Sequence, residues 1–502
     1  MVNQPKFQRR LATFNLQPAT ENNLIPYIMK ESIPVIVCAA IAGMGFACKK
    51  QPETKPNIVF ILIDDMGWKD LGYMGSEYYE TPNIDRLAAQ GMIFTQAYAN
   101  AANSAPTRAC LLTGQYTPRH GLYTVGNSDR GQSKDRRLIP VRNNEEISLD
   151  KILISEALKP AGYKTAAIGK WHIGHTPVEH GFDIGFDRNE LGYPRGHFNT
   201  DGEYLADRLT DEAIKFIVEN NPGRTGKPFF LSLSHHAVHT PIQAKEEIIE
   251  KYRQKTGLDC HNDPDYAAMI QSVDESVARV NQTLGELGLS ENTVLIFFSD
   301  NGGHGTYTCQ RPLRGGKGMF YEGGIREPMF VYWPGKVKPG SVCDVPVIST
   351  DFYPTFLEIA GIEKPDNYVL DGISILSLLK GEKSTERDKL FWHFPAYLES
   401  YSGLKQDSRD TTFRTRPVSV IRKDDWKLLL FYEEWVLGGG REMISGNNSV
   451  ELYNLTNDIS ERNNLCNLEV NKRDELLKDL LEWLKETEAP VPSTLNPGFM
   501  KY

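Results

Sequence analysis

Two short acidic segments of the sequence carry side chains that favour binding of a metal ion. Asp64 and Asp65 follow a run of β-branched and apolar residues, and Asp300 and Asn301 follow another such run. Neighbouring carboxylates repel each other and raise each other's pKa unless a cation lies between them. Three carboxylates and one amide offer only oxygen donors, which favours Ca²⁺ or Mg²⁺ over Zn²⁺. Each segment alone is equally typical of an ordinary turn.

Basic and imidazole side chains follow other strand-like segments in the same way. Lys170 and His172 come after an apolar run that ends at Ile168, and His239 comes shortly after a run that ends at Ser234. Ligands of open α/β sheets bind beyond the carboxyl ends of the strands, so these side chains fall at the same edge as the acidic residues. Taken alone, the lysine is compatible with a surface cation and the histidines with buried, hydrogen-bonded residues.

The elements that must position these residues alternate between strands and helices. Runs typical of strands buried on both faces occur at 57–63, 165–168, 229–234, 293–299 and 329–333. The clearest amphipathic helix spans 267–287, with Met269, Val273, Val277, Val280 and Leu284 on one face. This alternation predicts an α/β fold with a large, mostly parallel central sheet flanked by helices.

The sequence pattern changes after about residue 385. Short apolar runs at 418–421, 426–431 and 451–453 are typical of antiparallel strands, and 472–485 is typical of an amphipathic helix. We therefore expect a main domain over 56–384 and a smaller C-terminal α+β subdomain over 385–502.

The segment Ser104–Gly114 has the sequence SAPTRACLLTG. It resembles the modification motif of the type I sulfatases, members of the alkaline-phosphatase superfamily. In that motif a Cys or Ser is followed by any residue, Pro, a variable residue and Arg, and then by an apolar run and Thr-Gly. In that family the first residue is oxidised to formylglycine (3-oxoalanine), an aldehyde that performs the chemistry. The resemblance implies that Ser104 is the precursor of the reactive group.

The resemblance covers nearly all of residues 56–470, in the order that the family has. It rests on Asn57–Gly67, Thr81–Asp85, Thr113-Gly114, Arg119–Gly121, Gly169–Gly174, His239–Pro241, Ser299–Gly303, Gly316–Gly318, Tyr321–Pro328, Glu451–Leu455 and Asp458–Asn464. Agreement over so many separate segments is specific. The chain is similar to bacterial polysaccharide sulfatases.

The resemblance implies a Ca²⁺ site and a set of groups around it. The ion would be held by Asp64, Asp65, Asp300, Asn301 and the modified Ser104. Arg108 would hold the formylglycine and offset its developing charge.

The remaining roles in the resemblance concern sulfate binding and proton transfer. They would fall to Lys170, His172, His239 and Lys317. Either His239 or Lys317 would protonate the leaving oxygen, and His172 would assist the attacking group. Five other histidines are weaker candidates that could line the substrate pocket or only pack: His120, His175, His235, His236 and His304.

An aldehyde suits this chemistry better than a serine hydroxyl. A serine could attack sulfur, but its sulfate ester would then need water for removal. A hydrated aldehyde has two hydroxyls on one carbon, so that one attacks and the other expels sulfate, which splits a hard step into two. The family motif begins here with Ser104 rather than Cys, which implies maturation by a radical, iron–sulfur type of formylglycine-forming enzyme (maturase).

The N-terminal segment is typical of an export signal. An apolar run from Ile33 to Ala47 precedes Cys48 and two lysines, and it is too short to span a membrane comfortably. We expect residues 1–48 to be leader and signal peptide, with Met29 as a possible true start. Cys48 is either a lipid anchor at the outer membrane or lies near an ordinary cleavage site. Both alternatives predict an exported protein, in the periplasm or at the cell surface.

Composition limits the possible partners. The chain has 502 residues and a formal net charge of −9, which argues against a nucleic-acid partner. Seven cysteines include no CxxC pair, and their sequence positions do not select disulfide partners. Cys110 lies in an apolar run and is expected to be buried rather than reactive.

Three functions remain open at this stage. The first is a sulfatase acting on a sulfated carbohydrate, such as an algal polysaccharide (ulvan, for example) or a glycosaminoglycan. The second is a phosphohydrolase of the same superfamily that uses unmodified Ser104, and the third is a non-catalytic glycan-binding lipoprotein. Substrate specificity is expected in the loops 182–201, 303–313 and 397–416.

Overall fold

A nine-stranded sheet forms the centre of the computed structural model, which describes residues 54–200, 202–401 and 407–500. The predicted signal peptide, the possible start at Met29 and Cys48 lie outside the described residues. The strands of the described chain up to residue 348 are β1 (Asn57–Ile63), β2 (Met92–Tyr98), β3 (Lys164–Gly169), β4 (Ile184–Phe186), β5 (Asn199–Thr200), β6 (Glu203–Tyr204), β7 (Phe229–Ser234), β8 (Thr293–Ser299), β9 (Arg326–Tyr332), β10 (Ser341–Cys343) and β11 (Val347–Ile348).

The strand order of the sheet is β10–β2–β9–β8–β1–β7–β3–β4, and β11 also pairs with β2. Strands β8, β1, β7, β3 and β4 are parallel neighbours. Strand β9 runs antiparallel to both β8 and β2, so the strand predicted at 329–333 exists with reversed direction. The prediction of a large, mostly parallel sheet is confirmed. β5 and β6 form a separate two-stranded ladder.

Helices cover both faces of the central sheet and also pack against the C-terminal strands described below. They are α1 (Pro82–Gln90), α2 (Ser104–Thr113), α3 (Thr117–His120), α4 (Ile154–Leu158), α5 (Leu205–Glu219), α6 (Pro222–Thr225), α7 (Glu246–Arg253), α8 (Pro264–Glu286), α9 (Glu322–Ile325), α10 (Phe352–Ala360), α11 (Leu376–Leu379), α12 (Tyr432–Leu437) and α13 (Val470–Glu486). Helix α8 begins three residues before the predicted start, because Asp263 caps the backbone N–H of Tyr266. None of the described helices has the length and apolar character needed to cross a membrane.

The continuous apolar run of β1 is explained by burial on both faces. Ile58, Phe60 and Leu62 pack into a core that contains residues of α2 and α10. The alternate residues of β1 pack into a second core with residues of α5 and α8. Each buried side chain of this size contributes roughly 1.5–3 kcal/mol. The two cores therefore fix the central strands, and with them the edge where their carboxyl ends meet.

A four-stranded antiparallel sheet forms the C-terminal part of the fold, as predicted. Its order is β12–β15–β16–β17, and a short β13–β14 ladder lies beside it. The strands are β12 (Lys389–Phe394), β13 (Leu398–Glu399), β14 (Phe413–Thr415), β15 (Val418–Lys423), β16 (Trp426–Phe431) and β17 (Val450–Asn454). Leu476, Leu477 and Leu480 of α13 share a core with Val420 and Leu428 of this sheet. The sequence did not indicate β12.

A buried ionic cluster joins this sheet to the segment that precedes β9. Lys427 of β16 lies 3.0 Å from Glu322 and 2.9 Å from Glu461, and all three side chains are fully buried. Glu461 also accepts a hydrogen bond from the backbone N–H of Glu322, at 2.6 Å. One ammonium thus contacts two carboxylates that water does not reach, and Glu322 is also paired with Arg326 at 3.3 Å.

Replacement of Lys427 by methionine is expected to lower the free energy of unfolding by about 3–5 kcal/mol, because it leaves buried Glu461 without its ion-pair partner, while Glu322 keeps Arg326 at 3.3 Å. Urea unfolding at neutral pH would measure the change. The matched control is Lys478→Met, whose ammonium is exposed and 3.7 Å from Glu482; its effect should stay within about 0.5 kcal/mol. Equal stability of the two variants would contradict this account.

The structure shows which of the described cysteines are paired. Cys260 and Cys309 form a disulfide. Cys110, Cys343 and Cys466 are free and buried, in agreement with the expectation for Cys110. Burial raises the pKa of the Cys110 thiol well above its ordinary value.

Candidate active site

The carboxyl ends of β1 and β8 bring the two acidic segments together. The strands are parallel and paired in register up to Ile63 and Ser299, so the residues that follow them are adjacent. The backbone N–H of Asp65 donates to Oδ1 of Asp300 at 3.2 Å, and Nδ2 of Asn301 donates to Oδ1 of Asp65 at 2.9 Å. Both segments are fully buried.

Ser104 is the first residue of α2 and points into this acidic cluster. Its hydroxyl lies 2.8 Å from Oδ1 of Asp64 and 3.2 Å from Oδ1 of Asn301, and the residue is 1% exposed. The positive end of a helix macrodipole favours negative charge at this position. The hydroxyl also lies beside the Asp64 carboxylate, so a negative charge on its oxygen requires a cation in the cluster to balance it.

Arg108 lies one helical turn after Ser104, on the same side of α2. Its Nε donates to Oδ2 of Asp300 at 2.9 Å, its Nη2 lies 2.8 Å from the same oxygen as an ion pair, and its Nη1 donates to the carbonyl of Lys170 at 2.7 Å. The resemblance implied that Arg108 holds the modified Ser104. In the structure its hydrogen bonds tie α2 to the ends of β8 and β3.

Two lysines contact the acidic cluster from opposite sides. Nζ of Lys170 bonds to Oδ2 of Asp64, and Nζ of Lys317 lies 2.5 Å from Oδ2 of Asp65. Lys170 follows Gly169, which has a φ of +97° and where a Cβ would lie 2.0 Å from the carbonyl oxygen of Ser234. Only glycine fits where the backbone passes so close to the carbonyl oxygen of Ser234. The chain direction after Gly169 then brings Lys170 to Asp64, at the end of β1.

These lysines determine the charge states of the carboxylates. Burial alone would raise the pKa of Asp64, but the charges of Lys170, His239, Arg108 and Lys317 together hold it well below the ordinary value. Burial would likewise raise the pKa of Asp65, and Lys317, His239 and Lys170 together lower it. Burial and the charge of Asp64 raise the pKa of Asp300 to about 6. The protein alone therefore stabilises two of the three carboxylates in ionised form.

Two histidines also lie at the sheet edge that carries the acidic cluster. His172 has a left-handed backbone, φ 67°, and its Nδ1 is buried with no hydrogen-bond partner among the described residues. Nε2 of His239 lies 3.7 Å from Oδ2 of Asp65, and Nδ1 lies 2.6 Å from the carbonyl of Thr240. Because that carbonyl can only accept, Nδ1 carries the proton and Nε2 of the neutral ring presents a lone pair. Burial lowers the pKa of both histidines.

The donor set fits a hard divalent cation. Carboxylate or amide oxygens of Asp64 and Asn301 converge on one atom, the Ser104 hydroxyl oxygen. Donor atoms of Asp64, Asp65 and His239 lie within 4.8 Å of one another. The buried oxygens of this cluster suit Ca²⁺ or Mg²⁺.

Of the five weaker histidine candidates, two lie near the site and three do not. His236 bonds to Asp187 at 2.5 Å and lines a cavity with Lys170, His172 and His239. His304 stacks on Tyr401, with ring centroids 3.9 Å apart. The other three lie elsewhere: His235 contacts Ser276, His120 contacts Cys110, and His175 lies near Glu146.

Comparison with known proteins identifies the family. The sulfatase family model matches residues 56–362, which contain every residue of the site described above. This chain belongs to the sulfatase family. A second model, for the C-terminal region of N-sulphoglucosamine sulphohydrolase, matches residues 315–489 of this sulfatase.

Individual relatives agree with this assignment. A sulfatase of Formosa agariphila is 34% identical over 88% of this chain and 91% of the relative. N-acetylgalactosamine-6-sulfatase of Canis lupus familiaris is 31% identical over 71% of this chain and 72% of the relative. The crystal structure of Ps i-CgsB in complex with k-i-k-neocarrahexaose has a TM-score of 0.68 and 28% identity, covering 89% and 95% of the two chains. This sulfatase is thus a sulfuric ester hydrolase.

Sequence reasoning missed several residues that surround the site of this sulfatase. The Arg414 guanidinium lies 3.8 Å from the Tyr401 ring centroid and donates to the carbonyl of Lys317 at 3.4 Å. Asp187 holds His236. All three lie in ranges that the sequence predicted only as specificity loops, although Arg414 belongs to β14, and no local pattern shows which residue of such a range turns inward.

Proposed function

We propose that this sulfatase removes sulfate groups from a sulfated glycan, through a formylglycine formed from Ser104 and with a bound calcium ion. The observation that carries the proposal is the convergence of a buried hydroxyl, four oxygen-donor side chains and two lysines at one sheet edge. The glycan substrate is supported by relatives named for N-acetylgalactosamine 6-sulfate chemistry and by a relative solved with a neocarrahexaose.

The proposed calcium ion would be held by Asp64, Asp65, Asp300, Asn301 and modified Ser104. Its charge would polarise the oxygens of the transferring group and balance the buried carboxylates. Arg108 positions Asp300 through a hydrogen bond from Nε and an ion-pair contact from Nη2. Lys170 and Lys317 place positive charge on either side of the cluster, where sulfate oxygens would lie.

The formylglycine would supply two hydroxyls on one carbon, one for attack on sulfur and one for release of sulfate. The chain's own residues handle the protons. Lys317 presents its ammonium and can deliver a proton to the leaving oxygen, whereas His239, whose neutral ring has a lone pair at Nε2 beside Asp65, can do so only after Nε2 has taken up a proton. His172, with its unpartnered Nδ1, can accept a proton from the attacking group.

The phosphohydrolase alternative is less well supported. That branch of the superfamily binds two zinc ions and needs additional Asp and His ligands. Among the described residues, the one other group with metal-ligand spacing is Asp259 with Cys260 and Cys309, and these cysteines are joined as a disulfide. We further propose export to the periplasm or cell surface, with Cys48 as a possible lipid anchor, where polysaccharide substrates are accessible.

Protein co-expressed with a serine-type radical maturase and supplied with Ca²⁺ is expected to release sulfate from at least one member of a sulfated-glycan panel. The panel comprises glycosaminoglycan, carrageenan, fucoidan and ulvan oligosaccharides, with inorganic sulfate measured by ion chromatography. Protein made without the maturase is the control and should be inactive. Phosphatase activity of unmodified, zinc-loaded protein, with no sulfate release by the matured form, would favour the alternative.

A further inference from the structure

A cavity of about 400 Å³ extends from Lys170, His172 and His239 towards the loop Asp187–Gly196. Its volume falls within the range of roughly 300–1,000 Å³ that ligand pockets have. Arg188 and Arg195 also line the cavity, and neither contacts the acidic cluster. The cavity is therefore large enough for sugar beyond the sulfate group itself.

The charges that line this cavity are unbalanced. Lys170 is paired with Asp64, and Asp187, the one carboxylate among the lining residues, is paired with His236. The side chains of Arg188 and Arg195 make no hydrogen bond or ion pair with any described residue. Two guanidinium groups therefore remain available to a ligand.

The loop that carries these arginines is held at both ends. Asp187 accepts hydrogen bonds from the backbone N–H of Arg188 at 2.6 Å and from His236. The carbonyl of Arg188 accepts from the N–H of Tyr193 at 2.9 Å, and the carbonyl of Gly196 accepts from Nε2 of Gln243 at 3.2 Å. The backbone thus keeps both arginines at the cavity before any ligand binds.

We propose that Arg188 and Arg195 bind a second anionic group of the glycan, an inference that rests on the proposed function. This group is a sulfate ester or a uronate carboxylate near the sulfate that is removed. A guanidinium presents a planar fork of donors that matches either oxyanion in a bidentate manner. The sulfate that is removed has its own cations at the acidic cluster, where neither arginine makes a contact. The preferred substrate is therefore polyanionic, and a glycan with one isolated sulfate is a poor substrate.

The test compares substrates that differ in one anionic group. Probes are 4-nitrocatechol sulfate, a disulfated glycosaminoglycan disaccharide, its monosulfated form and its carboxyl-reduced form. For the Arg188→Ala/Arg195→Ala variant, KM for the polyanionic disaccharide should rise roughly 10–100-fold, the scale of losing one or two charge-assisted hydrogen bonds. Its kcat, and both constants for 4-nitrocatechol sulfate, should stay unchanged. If the variant changes KM for the disulfated disaccharide but not for its monosulfated form, the arginines bind the second sulfate. If it does not change KM for the carboxyl-reduced form, they bind the carboxylate.

Two controls separate this proposal from others. Arg142→Ala removes an exposed arginine that lines a different cavity and should alter neither constant. Arg188→Lys/Arg195→Lys keeps the charge without the fork and should recover part of the affinity. An equal rise of KM for 4-nitrocatechol sulfate, or an unchanged KM for every probe, would overturn the proposal.

A binding measurement keeps the inference independent of turnover. Calorimetry on Ser104→Ala protein, which needs no maturation, should show tighter binding of the disulfated disaccharide than of the monosulfated one. The arginine double variant should remove that difference. If wild type released no sulfate while this difference persisted, the proposed function would fail and the anion subsite would stand.

Discussion

Replacement of Ser104 by alanine is expected to reduce sulfate release by roughly 10⁴-fold or more, the scale that loss of a covalent nucleophile has in serine hydrolases. The reason is geometric: the Ser104 hydroxyl is the group on which Asp64 and Asn301 converge, at 2.8 and 3.2 Å. The measurement is kcat/KM on the best substrate of the glycan panel, with matured wild type as reference. Alanine fits the helix start, so the variant should unfold at nearly the same temperature.

A mass measurement accompanies this variant. The tryptic peptide Leu87–Arg108 of matured wild type should be lighter by two hydrogens than its encoded mass, and the change should map to Ser104. Ser148→Ala, at an exposed position, is the control and should leave both activity and conversion intact. An unconverted wild-type peptide, beside a control sulfatase that was converted, would exclude the aldehyde mechanism. Full activity of Ser104→Ala would exclude Ser104 altogether.

Removal of calcium by EGTA is expected to abolish sulfate release and to lower the thermal unfolding temperature. Asp64, Asp65 and Asp300 are fully buried and close together, so a bound cation relieves their repulsion. Calcium at one hundred times its Kd should stabilise the fold by about 2.7 kcal/mol. Added Ca²⁺ should restore activity, and Zn²⁺ should not, because the donor set is dominated by oxygen.

The matched variants for the metal are two aspartates. Asp65→Asn should lose most of the calcium-dependent rise in unfolding temperature. Asp371→Asn, which removes the partner of Arg119 outside the site, should keep it even if the variant is less stable. A calcium-independent unfolding temperature in wild type, together with activity in EGTA, would contradict the proposed metal site.

The sequence predicted the arrangement of the central strands well, because apolar runs and the polar residues that follow them are local signals. β1, β3, β7 and β8 all exist, and they are neighbours whose carboxyl ends deliver Asp64, Lys170, His239 and Asp300 to one edge. The direction of β9 was not predictable in this way. An apolar run has the same composition in either direction, and only tertiary connections decide its orientation.

Other parts of the site depended on contacts between distant segments. The hydrogen bonds of Arg108 to Asp300 and to the Lys170 carbonyl, and the pairing of Cys260 with Cys309, join residues with no local pattern in common. The arginines of the 187–196 loop were inside a predicted specificity range but were not singled out. Their significance lies in the absence of a carboxylate partner among the described residues, which a sequence does not show.

The depth of Ser104 imposes an order of events on the biosynthesis of the proposed enzyme. With 1% of the residue exposed, its side chain is out of reach for the active site of any other protein once α2 has packed. If Ser104 is converted to formylglycine as proposed, a maturase would have to act on the nascent or unfolded chain, before the sheet and its helices close around the serine. Folding and oxidation would then compete, and a chain that folded too early would be stable but permanently inactive.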